Sequence, residues 1–177
     1  FNNRLTDEVG GKASYELEFP SGGQAIVIGN LIQQSGTSEN FTIVSIGAEG
    51  SKWPVNALYL SHNTIVNDRA QGARMLDAKP GIRVVAVNNL LVGSHAGLEV
   101  SAGITQGSAF ARKSEFERPS HDDYRPRKAS KLLGSASKAT AYDGIELAPV
   151  AEYVHPLQSR KLALRRWTPG AFQTAAN

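Results

Sequence analysis

The sequence predicts an all-β fold in which short strands stack into a solenoid. Short apolar stretches rich in Val, Ile and Leu are broken every few residues by Gly and Asn, a pattern that suits strands rather than helices. Four segments share an asparagine set between two apolar stretches, and Asn3, Asn30, Asn63 and Asn89 follow one another at intervals of 27, 33 and 26 residues. Two residues beyond each asparagine stands a branched aliphatic: Leu5, Ile32, Ile65 or Leu91.

The elements follow in order. Phe1-Asn2-Asn3-Arg4-Leu5 is the first corner and the start of a strand. A polar excursion leads to a strand at Gln24–Ile28, and Gly29-Asn30-Leu31-Ile32 makes the second corner. Another excursion, Gln33 to Asn40, precedes the strand Phe41–Ile46 and the turn Gly47–Pro54. Leu58 to Ile65 carries the third corner, Ala73–Leu76 an intervening strand, and Val84–Val92 the fourth corner. Three strands per repeat predict a chain coiling around an apolar stack, with each asparagine supplying the left-handed backbone of a sharp turn. Its amide is placed to bond its equivalents above and below, which makes these asparagines ladder residues and not a catalytic site.

From Ser94 onward the repeat fades. Leu132, Leu133, Ile145, Leu147, Val150, Tyr153, Val154, Leu162, Leu164, Trp167 and Phe172 are too widely spread for one helix. They read as pegs of an irregular strap laid along the open end or flank of the solenoid. The division is therefore 1–95 for about three coils and 96–177 for the strap.

Composition narrows the function. The chain has 177 residues, 41% hydrophobic and 20% charged, with no cysteine, so disulfides, thiol nucleophiles and cysteine-bound zinc are excluded. No apolar run is long enough for a membrane span, and Phe1 to Asp7 does not read as a secretory signal, so a signal for export would lie upstream. Residues 1–110 hold 7 basic and 9 acidic side chains; residues 111–177 hold 12 and 7, a net of +5 within the overall +3. The basic residues of the tail alternate with acids, as in Arg112-Lys113-Ser114-Glu115, which reads as a solvated tail rather than a nucleic-acid site. There is no phosphate loop, zinc spacing or nucleophile elbow. Calcium has little support, because the acids converge in sequence only as the pairs Asp7-Glu8 and Asp122-Asp123, so no cofactor is expected.

Gly22 to Asn30, Leu58 to Asn67 and Val84 to Gly93 resemble the coils of right-handed parallel β-helix proteins of the pectate-lyase-like superfamily. Asp123-Tyr124-Arg125-Pro126 with Ser130 to Gly134 resembles the run that follows the last coil in bacterial secreted members. Thr168-Pro169-Gly170-Ala171-Phe172-Gln173 resembles their closing motif, with Gln173 where the usual residue is Glu and no Asp in Ser130 to Gly134. The resemblance implies a right-handed parallel β-helix, a secreted or periplasmic location, and an acidic polysaccharide as partner. Phe1 opens within a corner, so the expectation is the C-terminal part of a longer polypeptide, its first coil covered by upstream coils or another chain. Expressed alone from Phe1, the segment is not expected to be a soluble monomer.

Two functions remain open. In a polysaccharide lyase, a base removes the proton beside a uronate carboxylate that a cation neutralises. Lys12 or Tyr15 is the candidate base and Arg4 the neutraliser, within the cluster Arg4, Asp7, Glu8, Lys12, Tyr15 and Glu16. The candidate substrate-binding residues are Trp53, which offers a ring for a sugar face, Glu49 between glycines, His62 pointing out of a corner, Arg69 and Arg74. The rival is a non-catalytic carbohydrate-binding or assembly module in which these groups are solvated or packed. Gathering of Arg4, Lys12, Tyr15 and His62 in one groove favours the enzyme; scattering over different faces favours the module.

Overall fold

A computed structural model describes residues 1–177 except 95–97, 100–102, 139–140, 157, 164–165 and 174–177. Leu164 lies outside the described residues. The fold is all-β, built mainly of parallel sheets, and is consistent with a parallel β-solenoid. The strands are β1 (Arg4–Thr6), β2 (Leu17–Phe19), β3 (Gln24–Ile28), β4 (Leu31–Gln34), β5 (Thr42–Ile46), β6 (Ala57–Ser61) and β7 (Thr64–Asn67). They continue with β8 (Arg74–Ala78), β9 (Arg83–Val87), β10 (Leu90–Val92), β11 (Leu98–Glu99), β12 (Gly103–Gln106) and β13 (Ala109–Ala111). Two antiparallel pairs follow, β14 (Phe116–Arg118) with β15 (Asp123–Pro126), and β16 (Ala151–Val154) with β17 (Gln158–Lys161).

Every third strand joins the same parallel sheet. The first sheet runs β1-β4-β7-β10-β13, the second β2-β5-β8-β11 and the third β3-β6-β9-β12. Register is what turns the sequence repeat into a core. Leu5, Ile32, Ile65 and Leu91 pair in succession, as do Ala25, Leu58 and Val84, and Val44 with Leu76. In-register parallel strands stack like side chain on like, so each aliphatic column becomes one wall of the interior. Leu5 is half-buried against that interior, and Phe1 is 65% exposed.

The asparagine ladder forms, with one correction. Asn3 donates through its backbone N–H to Asn30 Oδ1 at 2.9 Å, Asn30 likewise to Asn63 at 2.9 Å, and Asn63 to Asn89 at 3.0 Å. The left-handed backbone belongs to the residue before each of them: Asn2, Gly29, His62 and Asn88, with φ of 54°, 71°, 49° and 54°. That residue turns the chain, and the following asparagine is freed to aim its amide along the stack. The ladder also has a further rung. Gly107 turns at φ 65° and Ser108 Oγ accepts the Asn89 N–H at 3.2 Å. The stacked strands therefore run past residue 95 to Ala111, where a serine replaces the asparagine and the spacing shrinks to 19 residues.

The strap covers two of the three sheets. Phe116, Tyr124, Leu132, Tyr153, Ala171 and Phe172 pack on Leu31, Val66, Leu90 and Val92 of the first sheet. Leu147, with Tyr142 and Ile145, covers Tyr59, Val85 and Val87 of the third. Val150, expected as a peg, is 79% exposed. Gly170 allows the closest approach, since a Cβ there would lie 2.7 Å from Thr64 Oγ1 and 2.9 Å from Leu90 Cβ. Among the described residues no helix is long and apolar enough to cross a membrane.

Candidate functional site

Where the strap crosses the first sheet, three cavities meet. One, of about 340 Å3, lies between β15 and the β16–β17 hairpin and is lined by Arg118, Asp122, Arg125, Tyr153, Arg160 and Phe172, among others. The second, about 380 Å3, lies between the strap and the solenoid wall at Arg4, Gln33, Asp68, Lys113 and Asp122. The third, about 350 Å3, lies beside Arg4 and Tyr153 at the first corner. Asp122 lines the first and second, Arg4 the second and third, and Tyr153 the first and third. They form one groove around Arg4, Asp122 and Tyr153.

Charge in the groove is held in fixed pairs. Arg4 reaches Asp122 through Nη2 at 2.8 Å and Glu8 through Nη1 at 2.7 Å. Burial alone would lower the Arg4 pKa, but the bonds to these carboxylates outweigh it and raise it. Arg125 grips Asp123 with Nε at 2.7 Å and Nη2 at 2.6 Å. Burial would push the Asp123 carboxyl up; this fork holds it below its ordinary value. Glu152, buried beneath, takes Arg160 Nε at 2.9 Å and the Gln173 backbone N–H at 2.8 Å. Lys113 Nζ and Gln33 Nε2 bind the two oxygens of Asp68 at 2.6 and 2.8 Å.

Two groove residues carry a buried polar atom with no hydrogen-bond partner, Arg4 Nε and Gln33 Oε1; Tyr124 OH, fully buried in the apolar cluster under the strap, also has none. Burial first, then Asp68 and Asp122, pushes the Tyr124 phenol up, so it is a neutral donor at physiological pH. A donor on Arg4 and an acceptor on Gln33 suit a polyhydroxyl ligand.

Of the candidate catalytic and substrate-binding residues, Arg4 lines this groove, together with Glu8 of its cluster. Lys12 and Tyr15 stand on the excursion between β1 and β2, and Arg69 on the turn after β7, where its guanidinium binds Asn40 O at 2.6 Å. Arg74, on β8, lies 5.4 Å over the Phe41 ring and bonds Asp77 at 3.1 Å. Glu49 faces Lys52 at 3.5 Å, and Trp53, 61% exposed, borders a shallow depression with Gly22, Gly23 and Val55. Both sit on the turn between the second and third sheets.

His62 is not open to solvent at its corner. It is fully buried, with Nδ1 2.8 Å from Ser61 Oγ, Nε2 3.3 Å from Asn88 Nδ2 and its ring edge-on to Trp167 at 6.1 Å. The strap seals this corner from outside, which a reading of the coils alone could not include. The candidates thus fall on three different corners.

The groove residues Lys113, Arg118, Asp122, Asp123, Arg125 and Arg160 belong to the tail that reads as a solvated chain. Their alternation of sign is the available signal: acids and bases interleave because they pair with each other once the strap folds back. Among the described residues no three His, Asp or Glu side chains converge as a metal cluster. Compared with protein-family models, curated proteins and solved structures, the chain matches none.

Proposed function

We propose that this chain is a carbohydrate-binding right-handed parallel β-helix protein of the pectate-lyase-like type, working outside the cytoplasm on acidic polysaccharide. The observation that carries the reading is the groove around Arg4, Asp122 and Tyr153. Its guanidinium groups are pre-positioned by carboxylates, so binding a uronate costs little side-chain ordering. The unpartnered polar atoms of Arg4 and Gln33 suit ring hydroxyls, and the Tyr153 and Phe172 rings suit the apolar face of a sugar. The net positive charge of the strap favours an anionic chain. Binding without catalysis is favoured because Lys12, Tyr15 and His62 lie outside the groove that holds Arg4.

The experiment is calorimetric titration with oligogalacturonate, oligoalginate and a neutral oligosaccharide, alongside ultraviolet absorbance for unsaturated uronates. Binding of an acidic oligosaccharide, weakened about tenfold or more by Arg4→Ala, with flat absorbance, is expected. Rising absorbance that Lys12→Ala abolishes would replace this reading with a lyase. No binding to any acidic oligosaccharide would end it.

A further inference from the structure

The last coil of the solenoid has an open end, apart from the groove. Among the described residues, β11, β12 and β13 each close their sheet with a neighbour on one side only. Phe110 follows Leu91 in the interior aliphatic column, yet it is 61% exposed. All four residues of β12 are exposed as well. The described strap packs on the outward side of β13, burying Ala111, rather than across this end. Between Leu91, Leu98, Thr105 and Phe110 the end opens into a hollow of about 240 Å3.

Backbone groups at this end continue a pattern that every lower level completes. The N–H of the residue before each ladder asparagine donates to the level above: Asn2 to Ile28 O, Gly29 to Ser61 O, His62 to Val87 O and Asn88 to Gln106 O, at 3.2, 3.1, 3.0 and 2.8 Å. Each ladder asparagine accepts at its carbonyl from that level: Asn3 from Leu31, Asn30 from Thr64, Asn63 from Leu90 and Asn89 from Ala109. The Gly107 N–H and Ser108 O come next in these two series, and neither has a backbone partner among the described residues. Exposed edges of this kind are ordinarily guarded by charge or proline, because they pair readily with other chains. Gly103 to Ala111 contains neither, in a chain that is 20% charged.

We propose that this end is an interface with a second copy of the chain, the two joined face to face about a two-fold axis through β13. Turning a coil over reverses its strands, so the two ends meet as antiparallel pairs. The axis passes Phe110, the middle residue of β13, and brings the two Phe110 rings together at the mouths of the two hollows. The same rotation sets β11 of each copy against β12 of the other, which keeps the two Glu99 carboxylates of β11 apart. Residues near a two-fold axis lie beside their own copies, where any charge would repel itself. The uncharged run from Gly103 to Ala111 is therefore what a second copy requires. The interface leaves the groove around Arg4, Asp122 and Tyr153 free, since none of its residues lines that groove.

The test is sedimentation velocity on the whole chain from about 1 µM to about 1 mM. A monomer–dimer equilibrium that stops at two is expected, because a face-to-face pair closes on itself whereas a head-to-tail stack keeps growing. Phe110→Lys and Phe110→Glu should each weaken the dimer about tenfold or more, and an equimolar mixture of the two should restore it. Val55→Lys, exposed on the turn before β6, should leave it unchanged. Should the Phe110 variants fail to fold, hydrogen exchange of the unmodified chain should slow over residues 103–111 as concentration rises. A monomer throughout the range would overturn the proposal and leave the edge to a strand from another protein. Growth beyond two copies, a dimer indifferent to both Phe110 variants, or exchange at residues 103–111 that ignores concentration would overturn it too.

Discussion

Arg4 and Asp122 form an ion pair of 2.8 Å that fastens the first strand of the solenoid to the returning strap. The two side chains are only 18% and 21% exposed, so water screens the pair less than it screens a surface bridge. The same guanidinium holds Glu8, which leaves Arg4 little freedom and keeps its Nε turned into the protein. One residue therefore joins fold and groove.

This pair should couple energetically. In a double-mutant cycle of Arg4→Ala and Asp122→Asn, thermal unfolding should give an interaction energy of about 1 kcal/mol. Hydrogen exchange should show each single variant loosening residues 119–125 more than the interior strands. Strict additivity would mean that the strap is held by its apolar pegs alone.

The ladder should show position dependence. Asn63 donates to Val27 O at 2.9 Å and Asn89 Oδ1 at 3.1 Å, and accepts from Asn30 N and Nδ2, each at 2.9 Å. Asn63→Leu strands several buried groups and should cost about 3 kcal/mol in chemical denaturation. Asn3 is exposed and bonds upward only, so Asn3→Leu should cost about 1 kcal/mol or less. Equal costs would remove the ladder from the account of stability.

Those asparagines were legible because a solenoid repeats its solution to a local problem. A corner needs a turn and its amide needs partners, so the same residue returns at each level. The last rung was hidden: Ser108 does the work with a hydroxyl, and the one neighbour that marks it as the successor of Asn89 is Gly107, in the place that Gly29 holds before Asn30. The groove was illegible for a different reason. Arg4 was visible beside acids nearby in sequence, but Asp122 and Tyr153 reach it only after the strap has crossed the first sheet. Long-range contacts of an irregular segment leave no period to read. His62 was hidden in the same way, because Trp167 and Leu147 O cover a corner that looks open within the repeat.

The C-terminal clasp around Gln173 is testable. Gln173 is buried; its Nε2 donates to Thr168 O at 2.9 Å and Gly170 O at 2.7 Å, and its Oε1 accepts the Thr168 N–H at 2.9 Å. A carboxylate accepts but cannot donate, so it would oppose both carbonyls and the nearby Glu152. Gln173→Glu should destabilise by about 2 kcal/mol at neutral pH and by less in acid. The sign follows from linkage: the introduced carboxyl would have a raised folded pKa, and stability would be lost as pH rises through it. A loss that is constant with pH would show that the clasp tolerates the charge.

His62 sets the acid limit. Burial is the main cause that lowers its pKa from 6.5 to about 4, opposed in part by the hydrogen bond to the Leu147 backbone. The unfolded chain therefore takes up a proton at a pH where the folded corner refuses one, so stability is complete above pH 6.5 and falls as pH drops towards 4. Across that range the loss amounts to about 3 kcal/mol. Glu16 acts in the opposite sense, since burial and the adjacent Asp7 raise it from 4.5 to about 7 and stability is lost as pH rises over that range. The measurement is therefore a difference. Urea unfolding of the parent and of His62→Asn, the residue already present at the equivalent corners Asn2 and Asn88, is followed from neutral pH to pH 4. Asparagine tolerates the φ of 49° at this corner and carries no titrating proton, so the gap between the curves should close or reverse in acid. Parallel curves would mean that the imidazole meets protons equally in both states and that Trp167 does not seal the corner.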